Sequence, residues 1–252
     1  GGDDMGLWLT FLLGIFIILG ALIVFYTDNS EKFIEFSISL AAGVILMLIG
    51  IDLIPEMLEV VPYKGWFKYF AIISGIAFGF VILLVLDKFV PDHEDDEKTD
   101  EDDHKNLEHI GLMSTIALIL HNIVEGMAIY ILTTSDIKAA FITCIGIGLH
   151  NIPMGMVIAS AFYQQNESKK KTFTILGAVS LSTFVGGLSM FLFNLGKYVD
   201  ILEAISITLT IGMLLFILIR ELLPKMKKSK DKRITSAGFL TGIVLVLITL
   251  AF

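Results

Sequence analysis

Eight apolar stretches, each about long enough to cross a bilayer, constrain this chain more than any other feature of its sequence. A helix of about 20 apolar residues spans a hydrocarbon core roughly 30 Å thick. Lipid offers no partners to exposed backbone groups, so spanning segments are helices or closed barrels. We therefore predict an all-α integral membrane protein, a single transmembrane domain over residues 1–252. Its eight transmembrane helices are expected near residues 7–26, 33–58, 66–89, 110–133, 137–163, 172–196, 200–222 and 234–252.

The composition excludes the main soluble alternatives. Hydrophobic residues make up 55% of the 252 residues, charged residues make up 17%, and the mean hydropathy is +0.81. These values are too apolar for a soluble domain of this length. The net charge of -8 argues against nucleic acid as a partner. The single cysteine, Cys144, excludes both an internal disulfide and a multi-cysteine zinc site.

A strongly polar segment, residues 91–109, separates the third and fourth stretches. It holds ten acidic residues together with His93, His104 and His109. Such a segment has too little apolar surface to fold alone, so we predict a loop. Two roles stay open for this loop: a solvated linker, or a flexible run of ligands that holds metal weakly.

The distribution of lysine and arginine predicts the orientation in the membrane, because loops rich in these residues stay in the cytoplasm. Thirteen basic residues fall on one side of the predicted helices and four on the other. We therefore expect both termini to be extracytoplasmic, loop 91–109 to be cytoplasmic, and the membrane to be the plasma (inner) membrane. The larger set is Lys32, Lys88, Lys98, Lys105, Lys169, Lys170, Lys171, Lys225, Lys227, Lys228, Lys230, Lys232 and Arg233, and the smaller is Lys64, Lys68, Lys138 and Lys197.

A short internal match suggests a repeat. Asp52-Leu-Ile-Pro-Glu-Met57 ends helix two, and Glu221-Leu-Leu-Pro-Lys-Met226 ends helix seven, on what should be the opposite membrane face. We predict a 3+2+3 inverted repeat around helices four and five, as in transporters that bind substrate at a repeat interface near the midplane. A chance match of these few residues is the alternative.

Two parallel motifs carry the candidate chemistry. Helix four reads His121-Asn-Ile-Val-Glu-Gly-Met127, and helix five reads His150-Asn-Ile-Pro-Met-Gly-Met156. Residues four apart share a helical face, so a His–Glu pair and a His–Met pair are predicted to converge on one ion. Imidazole and carboxylate ligands suit zinc and its neighbours, and a thioether disfavours magnesium or calcium. The predicted metal ligands are His121, Glu125, His150, Asn122, Asn151 and Met154.

Charged residues inside spans are costly and are functional candidates by default. Asp52 and Glu56 would lie towards the outer face and Glu221 towards the inner face, where they are candidates for entry and exit of a partly hydrated cation. Ordinary charges at the membrane interface are an equally good interpretation of these three residues.

These residues make the sequence resemble the ZIP (Zrt/Irt-like) metal transporters, as a divergent bacterial-type member. The family pairs an HNxxEG motif on helix four with an HNxPEG-type motif on helix five, and the likeness covers nearly the whole chain. The resemblance implies transport of zinc towards the cytoplasm, with cadmium, manganese, iron or cobalt as further substrates. It also implies a homodimer, although no predicted helix carries a decisive interface pattern.

Two departures from the family pattern matter. Met154 stands where the family usually has a glutamate on helix five, and Thr183 stands where many bacterial members have one on helix six. We therefore expect one principal metal site instead of two. The losses also keep an alternative open, a metal-binding membrane sensor or transport-inactive paralogue. An enzyme is disfavoured, because the spans contain no HExxH motif, no third histidine and no evident nucleophile and base.

Overall fold

The structure is a computed structural model that describes residues 2–27, 31–89, 100–163, 169–193 and 198–249. For residues 100–109 it describes the backbone alone. Eight helices in these ranges are long and apolar enough to cross a membrane, which confirms the predicted all-α membrane architecture. In chain order the helices are α1 (Gly2–Tyr26), α2 (Glu31 to Val60), α3 (Trp66–Asp87), α4 (Asp100–Ser135), α5 (Ile137–Tyr163), α6 (Lys169–Phe193), α7 (Val199 to Lys228) and α8 (Lys232–Thr249).

Two helix ends differ from the prediction more than the others do. Helix α4 begins at Asp100, so the last ten residues of the predicted loop 91–109 are helical, and residues 90–99 lie outside the described ranges. Helix α7 continues to Lys228 instead of ending at residue 222, and three lysines in its last turn favour the negative end of that dipole.

The links between the helices define two faces of the protein. Each helix crosses once, so the ends of α1, α3, α5 and α7 and the starts of α2, α4, α6 and α8 fall on one face. We call it the basic face, because it carries Lys225, Lys227, Lys228, Lys230, Lys232 and Arg233. The start of α1 and the end of α8 fall on the opposite face, which we call the terminal face. There a single residue, Asp136, joins α4 to α5, and its Oδ1 accepts hydrogen bonds from the backbone N–H groups of Lys138 (3.0 Å) and Ala139 (3.1 Å).

Helices α2 and α7 share an unusual local geometry. Each contains a six-residue π-helical segment, Leu48–Leu53 in α2 and Ile217–Leu222 in α7. The acidic residues Asp52 and Glu221 occupy the fifth position of their segments, and a proline follows each segment two residues later. Such segments inside α-helices often mark functional sites.

The helices pack in three units: a bundle of α1, α4, α5 and α6, a pair of α2 with α8, and a pair of α3 with α7. Glycines let the backbones approach closely inside each unit, as in other membrane bundles. A Cβ added to Gly43 of α2 would lie 2.2 Å from the carbonyl oxygen of Phe239 in α8, and one added to Gly79 of α3 would lie 2.2 Å from that of Leu209 in α7. In the described ranges, every glycine whose added Cβ would lie within 2.2 Å of another helix contacts a helix of its own unit.

The pairing of helices supports the predicted inverted repeat. Exchanging α1 with α6, α2 with α7, α3 with α8 and α4 with α5 turns the α1–α5 contact into the α6–α4 contact. The same exchange turns the α2–α8 contact into the α7–α3 contact, and all four are major contacts of the fold. It also pairs the two π-helical segments, with Asp52 and Glu221 at the same position of each. The 3+2+3 arrangement itself stays a prediction.

Replacing Gly186 by Ala tests the glycine packing. The added Cβ would lie 2.0 Å from the carbonyl oxygen of Ile123, so overpacking is expected to cost about 1–3 kcal/mol and lower the thermal unfolding midpoint in detergent. Gly177→Ala on the same helix is the matched control. Nothing lies within 4 Å of its added Cβ, and higher helix propensity should raise stability by up to about 1 kcal/mol. Equal midpoints for the two variants would contradict the packing.

Candidate metal centre

Three side chains from α4 and α5 meet between the two helices. The Nε2 atom of His121 lies 2.8 Å from Oε1 of Glu125, and the Nε2 atom of His150 lies 3.0 Å from the same oxygen. One donor atom from each residue lies within 4.8 Å of the other two. Three of the four side chains predicted to converge, His121, Glu125 and His150, therefore meet in the fold, about midway along both spans.

The spacing of these atoms suits a small transition metal ion. Ligand atoms about 2.1 Å from a tetrahedral zinc ion lie roughly 3.4 Å apart. The observed 2.8 and 3.0 Å separations are hydrogen-bond lengths, so an ion entering in place of the shared protons needs only a few tenths of an ångström of outward movement. Two imidazoles and one carboxylate form a mixed nitrogen and oxygen site that zinc binds well.

The three side chains of the cluster are buried, so the charge of Glu125 must be stabilised by partners inside the fold. His121, Glu125 and His150 are 4%, 8% and 4% exposed. A buried carboxylate costs several kcal/mol unless it is paired and fully hydrogen-bonded. Both oxygens of Glu125 are occupied here, because Oε2 accepts a hydrogen bond of 3.0 Å from the side-chain amide of Asn151. The carboxylate is therefore held in one orientation by α5.

The two asparagines of the motifs take different roles. Asn151 orients Glu125, while the side-chain amide of Asn122 donates to the carbonyl of Val179 on α6, at 3.2 Å. The side-chain oxygens of both residues are buried and have no hydrogen-bond partner in the described part of the chain. A buried amide oxygen without a partner costs about 1–3 kcal/mol, so each is available to an ion or to a water that accompanies it.

The glycines of the motifs position the histidines. Gly126 lies five residues after His121, and a Cβ there would lie 1.9 Å from the carbonyl oxygen of Thr183 on α6. Gly155 lies five residues after His150, and a Cβ there would lie 2.2 Å from the carbonyl oxygen of Ile17 on α1. The same motif position thus docks α4 onto α6 and α5 onto α1. The repeated part of HNIxxGM is a packing element that fixes the height of each histidine.

The two positions that depart from the family pattern belong to the packing. Met154 is 6% exposed and lies in the main apolar cluster of the fold. Thr183 is fully buried, and its hydroxyl donates to the carbonyl of Thr10 on α1 at 2.8 Å.

Carboxylates lie between this cluster and the terminal face. The charge of Asp52 acts on both histidines and on Glu125, and the charge of Glu56 acts on Asp52 and on Glu203 at the start of α7. All three are half-buried, and no salt bridge to any of them occurs in the described ranges. We call Asp52, Glu56 and Glu203 the acidic row, which runs from the terminal face towards the cluster of His121, Glu125 and His150.

Glu203, the outermost member of this row, was not predicted from the sequence. It lies in the first turns of the predicted span 200–222, and a list of every acid inside a span would have found it. Glu221 is 8% exposed in the π-helical segment of α7, towards the basic face, and it is not part of the three-residue cluster.

Comparison with known proteins agrees with these features. A family described as ZIP zinc transporter matches residues 90–250. The zinc transporter ZupT of Streptococcus mutans serotype c is 28% identical over 96% of this chain and 95% of its own length. The protein of the same name from Clostridium perfringens is 26% identical over 99% of this chain and 98% of its own length. The one from Escherichia coli O7:K1 is also 26% identical, over 93% of this chain and 91% of its own length. The chain is thus an integral membrane protein and not an enzyme, and it belongs, as a divergent bacterial member, to the ZIP zinc transporter family.

Proposed function

We propose that this protein carries zinc and related divalent transition metal ions across the membrane through the cluster of His121, Glu125 and His150. The convergence of both imidazoles on one carboxylate oxygen at mid-span is the observation that supports this most directly. The zinc transporters ZupT that resemble the chain over nearly its full length support the choice of zinc. Cadmium, manganese, iron and cobalt ions are the further substrates to be compared.

The proposed path starts at the terminal face. Glu203, Glu56 and Asp52 attract a hydrated cation, since clefts lined by one sign of charge raise the local concentration of counter-ions. The ion then loses water as His121, Glu125 and His150 coordinate it, with the oxygens of Asn122 and Asn151 beside them. Because metal ligands must be deprotonated, protons leave as the metal binds, and their return favours its release. Glu221 receives the ion on the way to the basic face.

The glycine contacts support alternating access. The metal ligands belong to the bundle of α1, α4, α5 and α6, whose helices are packed against one another through glycines. Asp52, Glu56, Glu203 and Glu221 belong to α2 and α7, which lie in the other two units. In the described ranges, no Cβ added to a glycine of the bundle would lie within 3.4 Å of an atom in those units, and none added to a glycine of those units would lie that close to the bundle. The bundle is therefore proposed to move as one body and to carry the ion past the carboxylates.

Uptake of Zn²⁺ into proteoliposomes tests the site. His121→Ala and Glu125→Ala are expected to lower saturable flux by at least about tenfold, since even indirect partners of a metal ligand contribute 10- to 100-fold to affinity. Cys144→Ala is the control, a small truncation in the same bundle of a side chain that packs in a separate apolar cluster and is not part of the three-residue cluster. Parallel assays with Cd²⁺, Mn²⁺, Fe²⁺ and Co²⁺ rank the substrates. Unchanged uptake by Glu125→Ala would overturn the site assignment.

The acidic row predicts an effect on apparent affinity. Glu56→Gln is expected to raise the KM for Zn²⁺ by about three- to tenfold with little change in kcat, because it removes charge on the approach to the site. Glu59→Gln, an exposed neighbour on the same helix end, should leave the KM unchanged. A fall in kcat alone for Glu56→Gln would argue against a role in entry.

The expected orientation, with both termini extracytoplasmic, remains part of the proposal. In a Cys144→Ala background, Asp4→Cys should react with a membrane-impermeant maleimide in intact cells, while Lys230→Cys should react only after permeabilisation. Both positions are exposed. The reverse labelling pattern would place the termini, and the entry carboxylates with them, inside the cell. The homodimer that the family resemblance implies also stays a prediction.

A sensor or transport-inactive paralogue is the second candidate function. It is favoured by one observation, that Met154 and Thr183 lie in packing contacts where the family pattern has carboxylates. Such a protein would bind one equivalent of Zn²⁺, in a manner that depends on His121, and would show no flux in proteoliposomes. Saturable flux excludes it.

A further inference from the structure

Arg220 occupies an unusual place for a charged residue in a membrane protein. It is the fourth residue of the π-helical segment Ile217–Leu222, eight residues before α7 ends at Lys228. In the described ranges, no other lysine or arginine lies so far from both ends of its membrane-spanning helix. An ionisable residue inside a span is a candidate functional residue by default, and its charge needs a partner.

Nothing in the described part of the protein neutralises this charge. No salt bridge to Arg220 occurs there. The residues three and four positions away along α7 are apolar: Phe216, Ile217, Leu223 and Pro224. Glu221 is the next residue, but adjacent residues do not face each other on a helix, and its side chain is buried whereas Arg220 is exposed. Arg220 therefore projects away from the protein interior, beside Ile219, which is 50% exposed.

The length of α7 places Arg220 near the boundary between the acyl chains and the headgroups. The span Asp200–Lys228 has 29 residues and is about 43 Å long, so about 13 Å of it extends beyond a hydrocarbon core roughly 30 Å thick. The backbone of Arg220 lies about 12 Å from the end of α7 at Lys228. At this depth a long arginine side chain extends its charged end to the headgroups and keeps its stem among apolar groups. The nearest anions outside the protein are lipid phosphates.

Two lysines extend the positive charge along the same side of α7. Lys227 lies seven residues after Arg220, close to two helical turns, and Lys228 follows it; both are exposed. Other lysines of the basic face are engaged within the protein. The Nζ atom of Lys230 lies 3.5 Å from a carboxylate of α2, and that of Lys232 donates to the backbone carbonyl of Lys227 at 2.7 Å. Arg220, Lys227 and Lys228 are thus left to bind an anion.

We propose that Arg220, Lys227 and Lys228 bind the headgroup of an anionic phospholipid, of the phosphatidylglycerol class, in the leaflet at the basic face. A planar guanidinium binds phosphate through two parallel hydrogen bonds, while a lysine acts as a point charge. Each basic residue near an anionic membrane surface contributes about fivefold to binding. The phosphate comes from a lipid because Arg220 adjoins exposed apolar surface at Ile219, and an amphipathic anion covers both.

Quenching of tryptophan fluorescence by brominated lipids measures which lipid lies beside α7. The chain has two tryptophans, Trp8 near the start of α1 and Trp66 at the start of α3, and both lie towards the terminal face. In the full chain, Trp8→Phe and Trp66→Phe with Ile219→Trp leave a single reporter next to Arg220. The protein is placed in vesicles of phosphatidylcholine and phosphatidylglycerol, and either lipid is supplied in brominated form. Phosphatidylglycerol should be preferred at this position by about fivefold or more.

Three changes of charge make the binding test specific. Arg220→Gln should lower the preference for phosphatidylglycerol by about fivefold, and Lys227→Gln with Lys228→Gln should lower it as well. Arg233→Gln is the matched control. Arg233 is the other arginine of the chain and is also exposed on the basic face, but it begins α8, which belongs to another unit. Its loss should leave the preference unchanged. Unaltered circular dichroism shows that each variant is folded.

Three outcomes would overturn the proposed site. The first is a reporter protein that shows no preference for phosphatidylglycerol, or an Arg220→Gln variant that keeps the preference. The second is an equal loss in Arg220→Gln and Arg233→Gln, which would mean that diffuse surface charge attracts the lipid. The third is loss of the preference when excess inorganic phosphate is added to the buffer, which would make a soluble anion the ligand.

Zinc flux provides a second readout, which rests on the proposed function. Helix α7 belongs to a unit against which the bundle is proposed to move, and a lipid bound at Arg220 holds the neighbouring Glu221 at a fixed depth. Adding phosphatidylglycerol to phosphatidylcholine vesicles should therefore raise the maximal Zn²⁺ flux more for the parent than for Arg220→Gln. General attraction of Zn²⁺ to anionic vesicles is the same for both. Equal gains would refute the link to transport, whereas lipid preference without any flux would uphold the lipid site and refute the transport function.

Discussion

The carboxylate of Glu125 at mid-span is the constraint on which the arrangement of this protein depends. An isolated charge at that depth is unstable, so the fold must supply donors to both of its oxygens. It does so from both helices of the hairpin: His121 one turn back on α4, and His150 and Asn151 on α5. A group that is costly to bury is thereby converted into a preformed set of ligands. The imidazole nitrogens that stabilise the charge without metal are themselves ligands, and a cation replaces only the protons that they share with Glu125.

Holding these donors in place requires a rigid frame, and the glycines provide it. Lipid supplies no hydrophobic drive for helices to associate, so close packing must supply the attraction. Gly126 and Gly155 bring α6 and α1 into backbone contact at the height of the histidines. The site is thus supported from behind by two helices that contribute no ligand to it. This explains why a repeated motif contains both ligands and glycines at fixed spacing.

Much of the fold and of the central cluster could be predicted from the sequence, because both follow from strong local signals. Eight apolar stretches specify eight helices, and His121, Glu125 and His150 project from helical faces at matched depth. The start of α4 at Asp100 was missed, since low hydropathy says nothing about helicity outside the membrane. Glu203 was missed because its neighbours in space, Glu56 and Met127, are distant in sequence. The packing of Met154 and Thr183 likewise depends on which helices touch.

The one-residue link between α4 and α5 sets the depth of the two histidines in the membrane. His121 lies 15 residues before Asp136 and His150 lies 14 residues after it, so at 1.5 Å per residue both imidazoles sit roughly 21–23 Å from the same turn. The two histidines lie at equal depth because they are almost equally far from Asp136 along the chain. The carboxylate of Asp136 caps α5 and fixes where that helix begins. An insertion on either side of this turn would rotate one histidine by about 100° and lift it by about 1.5 Å. The other links of the chain lie outside this count and can vary in length without changing it.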